Sequence, residues 1–166
     1  MPKPSVVFWS ESEMHPTAEP AGRLTGLAKS YMSVDFIDTN ILIYAHDRSA
    51  GAKHERAVEL LTRLLEEESG ALSIQVLSEF YSAATRKLGM KSQDAEDVIR
   101  DLRGWTTHSP GHADILKACS LVRRYKTSWW DAMILNSAIE LGCSVLWSED
   151  LANGQRYGSV TVRNPF

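Results

Sequence analysis

VDFIDTNILIYA, at residues 34–45, joins a short strand pattern to a helix pattern through one acidic residue. Val34, Phe36 and Ile37 are typical of a short buried strand, and apolar positions with helical spacing begin directly after Asp38. Asp38 is therefore predicted at the carboxyl end of a strand, the edge where open α/β sheets collect their ligands. Asp is also a preferred helix cap, so a cap, a metal ligand and a catalytic base all fit this position.

Length, charge and hydropathy restrict the class of protein. The chain has 166 residues, enough for one domain with a proper core, and 43% of them are hydrophobic. No apolar run approaches the roughly 20 residues that cross a bilayer, so we expect no membrane span. The formal net charge of −3 argues against binding nucleic acid through bulk positive charge. The net charge does not exclude an enzyme that reaches phosphates through bound cations, because such a site needs surplus carboxylates.

The two cysteines, Cys119 and Cys143, are far apart and form no C-x-x-C pair. Each lies in an apolar segment, which predicts buried free thiols in a reducing compartment. We therefore expect a cytoplasmic protein.

Residues 1–31 differ in composition from the rest of the chain. They contain four of the six prolines together with several glycines and hydroxyl residues, which predicts a flexible extension. The apolar run at 6–9 is too short for the core of a signal peptide. Because Met32 directly precedes the first strand, a misplaced start codon would explain the extension. The functional domain is predicted over residues 32–166.

Short apolar strands alternate with amphipathic helices along this domain. The predicted strands lie at 34–37, 72–74, 105–108, 145–147 and 160–162. The predicted helices lie at 39–47, 52–68, 76–88, 94–102, 113–124 and 128–140. This alternation predicts an α/β fold with a central, mostly parallel sheet flanked by helices.

Four carboxylates occupy positions that such a fold brings together. Asp38 and Asp150 each follow a strand, Asp131 opens a helix, and Glu79 borders the buried face of a helix. Each has an ordinary explanation: a cap for Asp38, a capping box with Ser128 for Asp131, and partial solvation for Glu79. Gathered in one cleft, however, carboxylates repel each other unless cations neutralise them. Oxygen ligation suits Mg²⁺ or Mn²⁺, and such ions support phosphodiester hydrolysis.

The same residues carry a resemblance to a known family. Four short motifs occur in order: DTN at 38–40, Glu79, WDAMI at 130–134 and SEDL at 148–151. With them, the chain from about residue 32 to residue 166 resembles the PIN-domain nucleases, and in particular the VapC-type toxins of bacterial toxin–antitoxin pairs. The resemblance implies a PIN fold and a Mg²⁺- or Mn²⁺-dependent endoribonuclease acting on RNA. It also implies a protein that is often a homodimer and is neutralised by a small antitoxin protein.

Matched position by position, the resemblance implies one acidic site that is both catalytic and metal-binding, made of Asp38, Glu79, Asp131 and Asp150. Asn40 and Ser148 would be polar supports that orient these carboxylates or the attacking water. Glu149 does not match the family position and is left out. The segment at 1–31 departs from the family pattern, which normally begins close to the first strand.

Two other groups of side chains have structural explanations. Arg123, Arg124 and Lys126 lie at the end of a predicted helix, where basic residues suit the helix dipole. An aromatic residue among them keeps a phosphate-facing patch open as the alternative. His108 and His112 are four residues apart, but a Pro-Gly pair between them breaks the helical spacing that a zinc site would need.

Three alternative classes of protein have to be distinguished from these nucleases. A haloacid dehalogenase-type hydrolase needs a second Asp two residues after the first, where Asn40 stands. A response-regulator receiver needs an acidic pair before the strand-end Asp, and Asp35 fits that pair poorly. A non-catalytic RNA- or protein-binding module on the same fold stays open, because fold alone does not determine function. Only the intact set of four carboxylates argues against such a module.

Overall fold

The computed structural model describes residues 34–166. The extension predicted over residues 1–31 lies outside this part of the chain. The described residues form six α-helices and six strands, besides two short 3-10 helices: β1 (Asp35–Ile37), α1 (Thr39–His46), α2 (Ala52–Glu66), β2 (Gly70–Ser73), α3 (Ile74–Lys87), α4 (Ser92–Asp101), β3 (Thr106–His108), α5 (His112–Tyr125), α6 (Trp129–Glu140), β4 (Val145–Trp147), β5 (Arg156–Tyr157) and β6 (Val160–Arg163). None of these helices is long and apolar enough to cross a membrane.

The strands form one sheet in the order β3-β2-β1-β4-β6-β5. Every neighbouring pair is parallel except β5 and β6, which are antiparallel. Phe36 of β1 lies in register with Ala71 of β2 on one side and Leu146 of β4 on the other. The predicted α/β fold with a mostly parallel sheet is therefore confirmed, and the carboxyl ends of β1, β2 and β4 lie at one edge.

One hydrophobic core joins the sheet to the helices around it. The strand residues Phe36, Leu72 and Leu146 are fully buried, and Phe80 of α3 packs with them. Helix α6 is buried at every position from 132 to 138 and packs against α5, β2 and β4. This buried helix is the element that carries Asp131 at its first turn, so the start of α6 is held firmly against the sheet.

The bounds of two elements differ from their prediction. Ile74 is not part of a strand but the first residue of α3, where its side chain is 46% exposed. Ser73 stops β2, because its hydroxyl accepts the Val76 N–H at 3.3 Å and so caps the helix. Strand β5 was missed, since two residues in an antiparallel pair leave no periodic pattern to detect.

The prediction of two buried thiols is correct for only one cysteine. Cys143 is buried, and burial raises the pKa of its thiol to about 12. Cys119, which follows the buried Ala118 on α5, is only half-buried.

Replacing Gly70 with Ala is expected to lower the free energy of unfolding by about 1–3 kcal/mol, as overpacked cores do. A Cβ at Gly70 would lie 2.5 Å from Cε3 of the Trp105 ring, which is itself buried. Gly104 is the matched control, because a Cβ there meets nothing within 4 Å. Urea unfolding of both variants measures the difference. Equal decreases in the free energy of unfolding for Gly70→Ala and Gly104→Ala would show that the contact with Trp105 does not destabilise the fold.

Candidate active site

The four predicted carboxylates line one pocket of about 580 Å³. The sheet grows from β1 through β2 to one side and through β4 to the other, so the strand order changes direction at β1. Open α/β sheets bind ligands at such a switch point, outside the carboxyl ends of the strands. Asp38 follows β1 and Asp150 follows β4, while Glu79 on α3 and Asp131 on α6 face the same space.

Asp38 is both the cap of α1 and a wall of the pocket. One carboxylate oxygen, Oδ1, accepts the Thr39 N–H at 2.6 Å, which caps the helix. The other, Oδ2, accepts the Ser148 hydroxyl at 2.7 Å and the Asn40 amide at 3.2 Å. The side chain is only 7% exposed, so these donors, and not water, fix its orientation.

Burial raises the pKa of the Asp38 carboxyl to about 7. The hydrogen bonds from Ser148 and from the Thr39 N–H oppose this rise, and the neighbouring carboxylates of Asp150 and Glu79 add to it. Such a group gains its charge most readily beside a cation. Strongly perturbed carboxyl groups in a cleft are typical of functional sites.

Asn40 and Ser148 connect the two strand-end carboxylates. The Asn40 amide donates to Asp150 Oδ2 at 3.1 Å as well as to Asp38. The Ser148 hydroxyl accepts the Asp150 N–H at 3.1 Å while it donates to Asp38, and this side chain is fully buried. The structure thus places both predicted supports between Asp38 and Asp150.

Glu79 is held by two side chains that the sequence did not single out. Its Oε2 accepts the Thr39 hydroxyl and its Oε1 accepts the Gln75 amide, both at 2.8 Å. The same Gln75 amide lies 3.4 Å from the carbonyl oxygen of Trp130. Gln75 therefore ties the carboxylate on α3 to the first turn of α6. The spacing of Gln75 and Glu79, one helical turn apart, was the available signal.

Asp131 also has the structural role predicted for it. Ser128 is the N-cap of α6, and its hydroxyl accepts the Asp131 N–H at 3.1 Å. That hydroxyl also donates to Asp131 Oδ2 at 2.7 Å, and the Thr127 hydroxyl lies 3.3 Å from the same oxygen. The carboxylate is thus fixed at the start of a buried helix with its side chain in the pocket wall.

Glu149 points away from this site, although it adjoins Asp150. Its carboxylate accepts the Tyr44 hydroxyl and forms an ion pair with Lys53. Lys53 also lies over the ring of Phe166. These contacts anchor the loop after β4 to α1, α2 and Phe166. Glu149 is thus engaged outside the pocket lining.

The predicted basic surface lies elsewhere in the domain. None of its members lines the pocket, and each is at the exposed end of α5 or just beyond it: Arg123, Arg124 and Lys126. Arg86 on α3, by contrast, contacts a residue of the pocket lining. Its Nε donates to the Ser82 carbonyl at 3.1 Å, and Ser82 lines the pocket.

The donor set suits a hard cation. Two buried amide oxygens in the pocket wall, Asn40 Oδ1 and Gln75 Oε1, have no hydrogen-bond partner within the described residues. In the same part of the chain, no three His, Cys, Asp or Glu side chains converge closely enough to form a preformed metal cluster. Mg²⁺ typically takes one or two carboxylates and completes its shell with water and substrate phosphates, so spaced carboxylates fit it. Structural zinc, which takes four close ligands, does not fit.

The PIN domain family model matches residues 36–152 of this chain. The chain belongs to the PIN-domain family. That stretch contains all four carboxylates of the pocket and both of their polar supports.

Solved structures with a similar fold come from several bacteria. The Sarcin-Ricin loop cleaving toxin VapC20 of Mycobacterium tuberculosis is 20% identical, with a TM-score of 0.54 over 67% of this chain and 85% of that chain. A toxin–antitoxin complex from Klebsiella pneumoniae is 21% identical, with a TM-score of 0.56 over 80% of this chain and 98% of that chain. DNA-bound VapBC from Salmonella typhimurium is 17% identical, with a TM-score of 0.59 over 81% and 100%. At such identities the likeness shows the fold. No curated protein matches the chain.

Several residues of this PIN-domain pocket were not predicted from the sequence. They are polar or apolar side chains on α1, α3 and α6 without charge: Thr39, Gln75, Ser78, Ser82, Trp130 and Ile134. Thr39, Trp130 and Ile134 belong to the DTN and WDAMI motifs, but no role was predicted for them. The other three lie one helical turn or less from Glu79 on α3.

Proposed function

We propose that this PIN domain is a Mg²⁺- or Mn²⁺-dependent endoribonuclease that hydrolyses phosphodiester bonds in RNA. The observation that carries the proposal is the convergence of the four carboxylates in one pocket at the switch point of the sheet. A binding module gains nothing from such mutual repulsion, which raises the pKa of Asp38 beyond the effect of burial. A nuclease uses it to attract cations that engage phosphates.

The pocket's own residues divide the work. One or two of the four carboxylates would bind the ion directly, and water and substrate phosphates would complete its shell. The candidates are Asp38, Glu79, Asp131 and Asp150. When bound, Mg²⁺ or Mn²⁺ supplies Lewis acidity to phosphate oxygens and to water. Asn40 and Ser148 keep the carboxylates of Asp38 and Asp150 facing each other, and Thr39 and Gln75 fix both oxygens of Glu79.

The reaction follows from the chemistry of this donor set. Water attacks phosphorus in line with the 3′-oxygen, and a pocket carboxylate accepts the water's proton. The bond from phosphorus to the 3′-oxygen breaks, and the released 3′-oxygen takes up a proton from solvent. The products are a 5′-phosphate and a 3′-hydroxyl. Attack by the ribose 2′-hydroxyl would leave a 2′,3′-cyclic phosphate instead, and nothing in this acidic pocket favours that route.

We further propose that the protein is the toxin of a toxin–antitoxin pair, acts in the cytoplasm as a homodimer, and is neutralised by an antitoxin protein. The support is the similar fold of a Mycobacterium tuberculosis toxin and of toxin–antitoxin complexes. Co-expression with the protein encoded beside it tests this role. Growth arrest by the chain alone, relieved by the neighbouring protein, is the expected result.

Incubating the purified chain with total bacterial RNA tests the activity itself. We expect cleavage with Mg²⁺ or Mn²⁺ and none with EDTA, and excess Mg²⁺ should restore it. A folded chain, free of antitoxin, that binds RNA but cuts neither structured nor unstructured RNA with either metal would favour the non-catalytic module.

Replacing Ser148 with Ala is expected to weaken metal binding and cleavage by about 10- to 100-fold, as the loss of supporting hydrogen bonds at metal sites does. The variant loses the donor to Asp38 and the acceptor for the Asp150 N–H. A Mn²⁺ titration followed by cleavage rate measures both effects. Ser159→Ala is the control, since Ser159 is exposed in the turn between β5 and β6. Equal metal requirements in the two variants would contradict the support role.

A further inference from the structure

We propose that Trp130 is the stacking platform for an unpaired nucleobase next to the bond that is cut. The inference rests on the proposed ribonuclease function and adds a residue that selects the substrate. Trp130 lines the same pocket as the four carboxylates, and its side chain is 63% exposed. An exposed aromatic ring beside a candidate reaction centre offers a face on which a nucleobase can stack.

The rings of the other described tryptophans pack in the protein or donate a hydrogen bond, and the Trp130 ring does neither. Trp105 is buried against Gly70. Trp129 packs into a small cluster beneath α5, and the Trp147 indole donates to Asp35 at 2.9 Å. Within residues 34–166 the Trp130 ring has neither an aromatic nor a cationic partner. Its face is therefore free for a ligand.

The backbone that carries this ring is held in place. Ser128 caps α6 two residues earlier, and Trp129 anchors the first turn of α6 in the small cluster. The Gln75 amide reaches the Trp130 carbonyl at 3.4 Å while it holds Glu79 at 2.8 Å. The Trp130 backbone is thus tied to Glu79 and directly precedes Asp131, so a base on the ring would lie next to the phosphate at the carboxylates.

The surroundings of the ring suit a nucleotide. Ser78 and Ser82 on α3 provide hydroxyl groups in the pocket, and Arg86 donates to Ser82 at its margin. A nucleotide offers a flat base for the ring and a phosphate for a cation. Every base has a stacking face, so such a platform requires an unpaired nucleotide without choosing its identity. Paired bases within a helix cannot reach it.

The binding test uses the full chain with Asp38→Asn, so that bound RNA stays uncut, and single-stranded oligoadenylate as the probe. Adding Trp130→Ala should weaken the affinity by roughly 5- to 150-fold, the effect of losing one base–aromatic stack. Trp130→Phe should retain most of the affinity, because a smaller aromatic ring still stacks. Leu116→Ala is the control, since Leu116 is 61% exposed on α5 and lies outside the pocket lining.

The cleavage test separates stacking from any other role. A synthetic RNA spanning a site cut in total RNA is made with an abasic nucleotide at each position around the cut. At one position, removal of the base should slow the wild-type chain as much as Trp130→Ala does, and the two changes together should cost little more. This loss of additivity is the signature of direct contact.

The outcomes distinguish the two proposals. If the wild-type chain cuts no RNA, the proposed function fails, and unchanged oligoadenylate affinity in the Trp130→Ala variant would then overturn the platform as well. If the wild-type chain cuts RNA and Trp130→Ala binds and cuts equally well, only the platform is wrong. That second pattern is also what a ring reserved for a protein partner predicts.

Discussion

Replacing Asp38 with Asn is expected to slow RNA cleavage by at least about a thousandfold, because metal-ion catalysis contributes several kcal/mol to lowering the barrier. Asp38 shares hydrogen bonds with Asn40 and Ser148 and lies between the other carboxylates, so losing its charge disturbs the whole site. Asn keeps the shape of the side chain and is itself a good helix cap, so α1 should form as before. Cleavage rates and circular dichroism of the same preparations measure both properties.

Asp35→Asn is the matched control for this experiment. It makes the same chemical change at the other end of β1, where Asp35 bonds the Trp147 indole outside the pocket lining. The control should cut RNA at close to the wild-type rate. Asp38→Asn should still bind RNA under either explanation, so the loss of cleavage, and not of binding, separates the nuclease from the non-catalytic module. An Asp38→Asn chain that cuts like the wild type would remove Asp38 from the reaction.

The second large effect is on stability without metal. In EDTA, we expect the stability of the wild-type chain to fall as pH rises from about 4 to 7, by a few kcal/mol that Asp38→Asn does not lose, since burial raises the pKa of Asp38 from 3.8 to about 7 and one pKa unit is about 1.4 kcal/mol. The sign follows from proton binding. Between these two pKa values the folded state holds more protons than the unfolded state, so stability falls as pH rises. Below about pH 4 the Asp38 carboxyl is protonated in both states, so the stabilities of the two chains should respond to pH alike.

Mg²⁺ should restore the stability that the wild-type chain loses as pH rises, and it should not do so in Asp38→Asn. A cation bound to the folded state stabilises it in proportion to its occupancy, and it favours the charged form of Asp38. Urea unfolding across the pH range, with EDTA and with Mg²⁺, measures both effects. Asp35→Asn should keep the Mg²⁺ response, although burial raises the pKa of Asp35 too. A response that is equal in Asp38→Asn and in the wild type would place the ion elsewhere.

The sequence was informative about Asp38 because strand and helix patterns meet at that residue. The rule that parallel strands end at one edge then predicted that Asp150 would lie near it, and the register of Phe36 with Leu146 provides that proximity. Knowing that β4 adjoins β1 requires long-range pairing, which no local pattern contains. A shared edge for the two carboxylates could be predicted from the sequence. The hydrogen bonds between them could not, because they depend on which strands are neighbours.

The residues that were missed depend on tertiary contact. Thr39 reaches Glu79 only because α1 packs against α3, and Trp130 is notable only because nothing covers it. Gln75 is the exception, since it reaches Glu79 within α3. The basic surface was predicted from clustering along the chain, and charge that clusters in sequence need not face the site. Within the described part of the chain, Arg86 is the one basic residue that hydrogen-bonds a residue of the pocket lining. Its only basic neighbour in sequence is Lys87, so no cluster of charge marks it.

The most direct test of the central claim is to map the ends of the RNA fragments that the full chain produces with Mg²⁺, with Mn²⁺ and with EDTA. Hydrolysis at a carboxylate-bound metal predicts fragments with 5′-phosphate and 3′-hydroxyl ends that appear only when metal is present. Fragments ending in a 2′,3′-cyclic phosphate, or equal cleavage in EDTA, would contradict it.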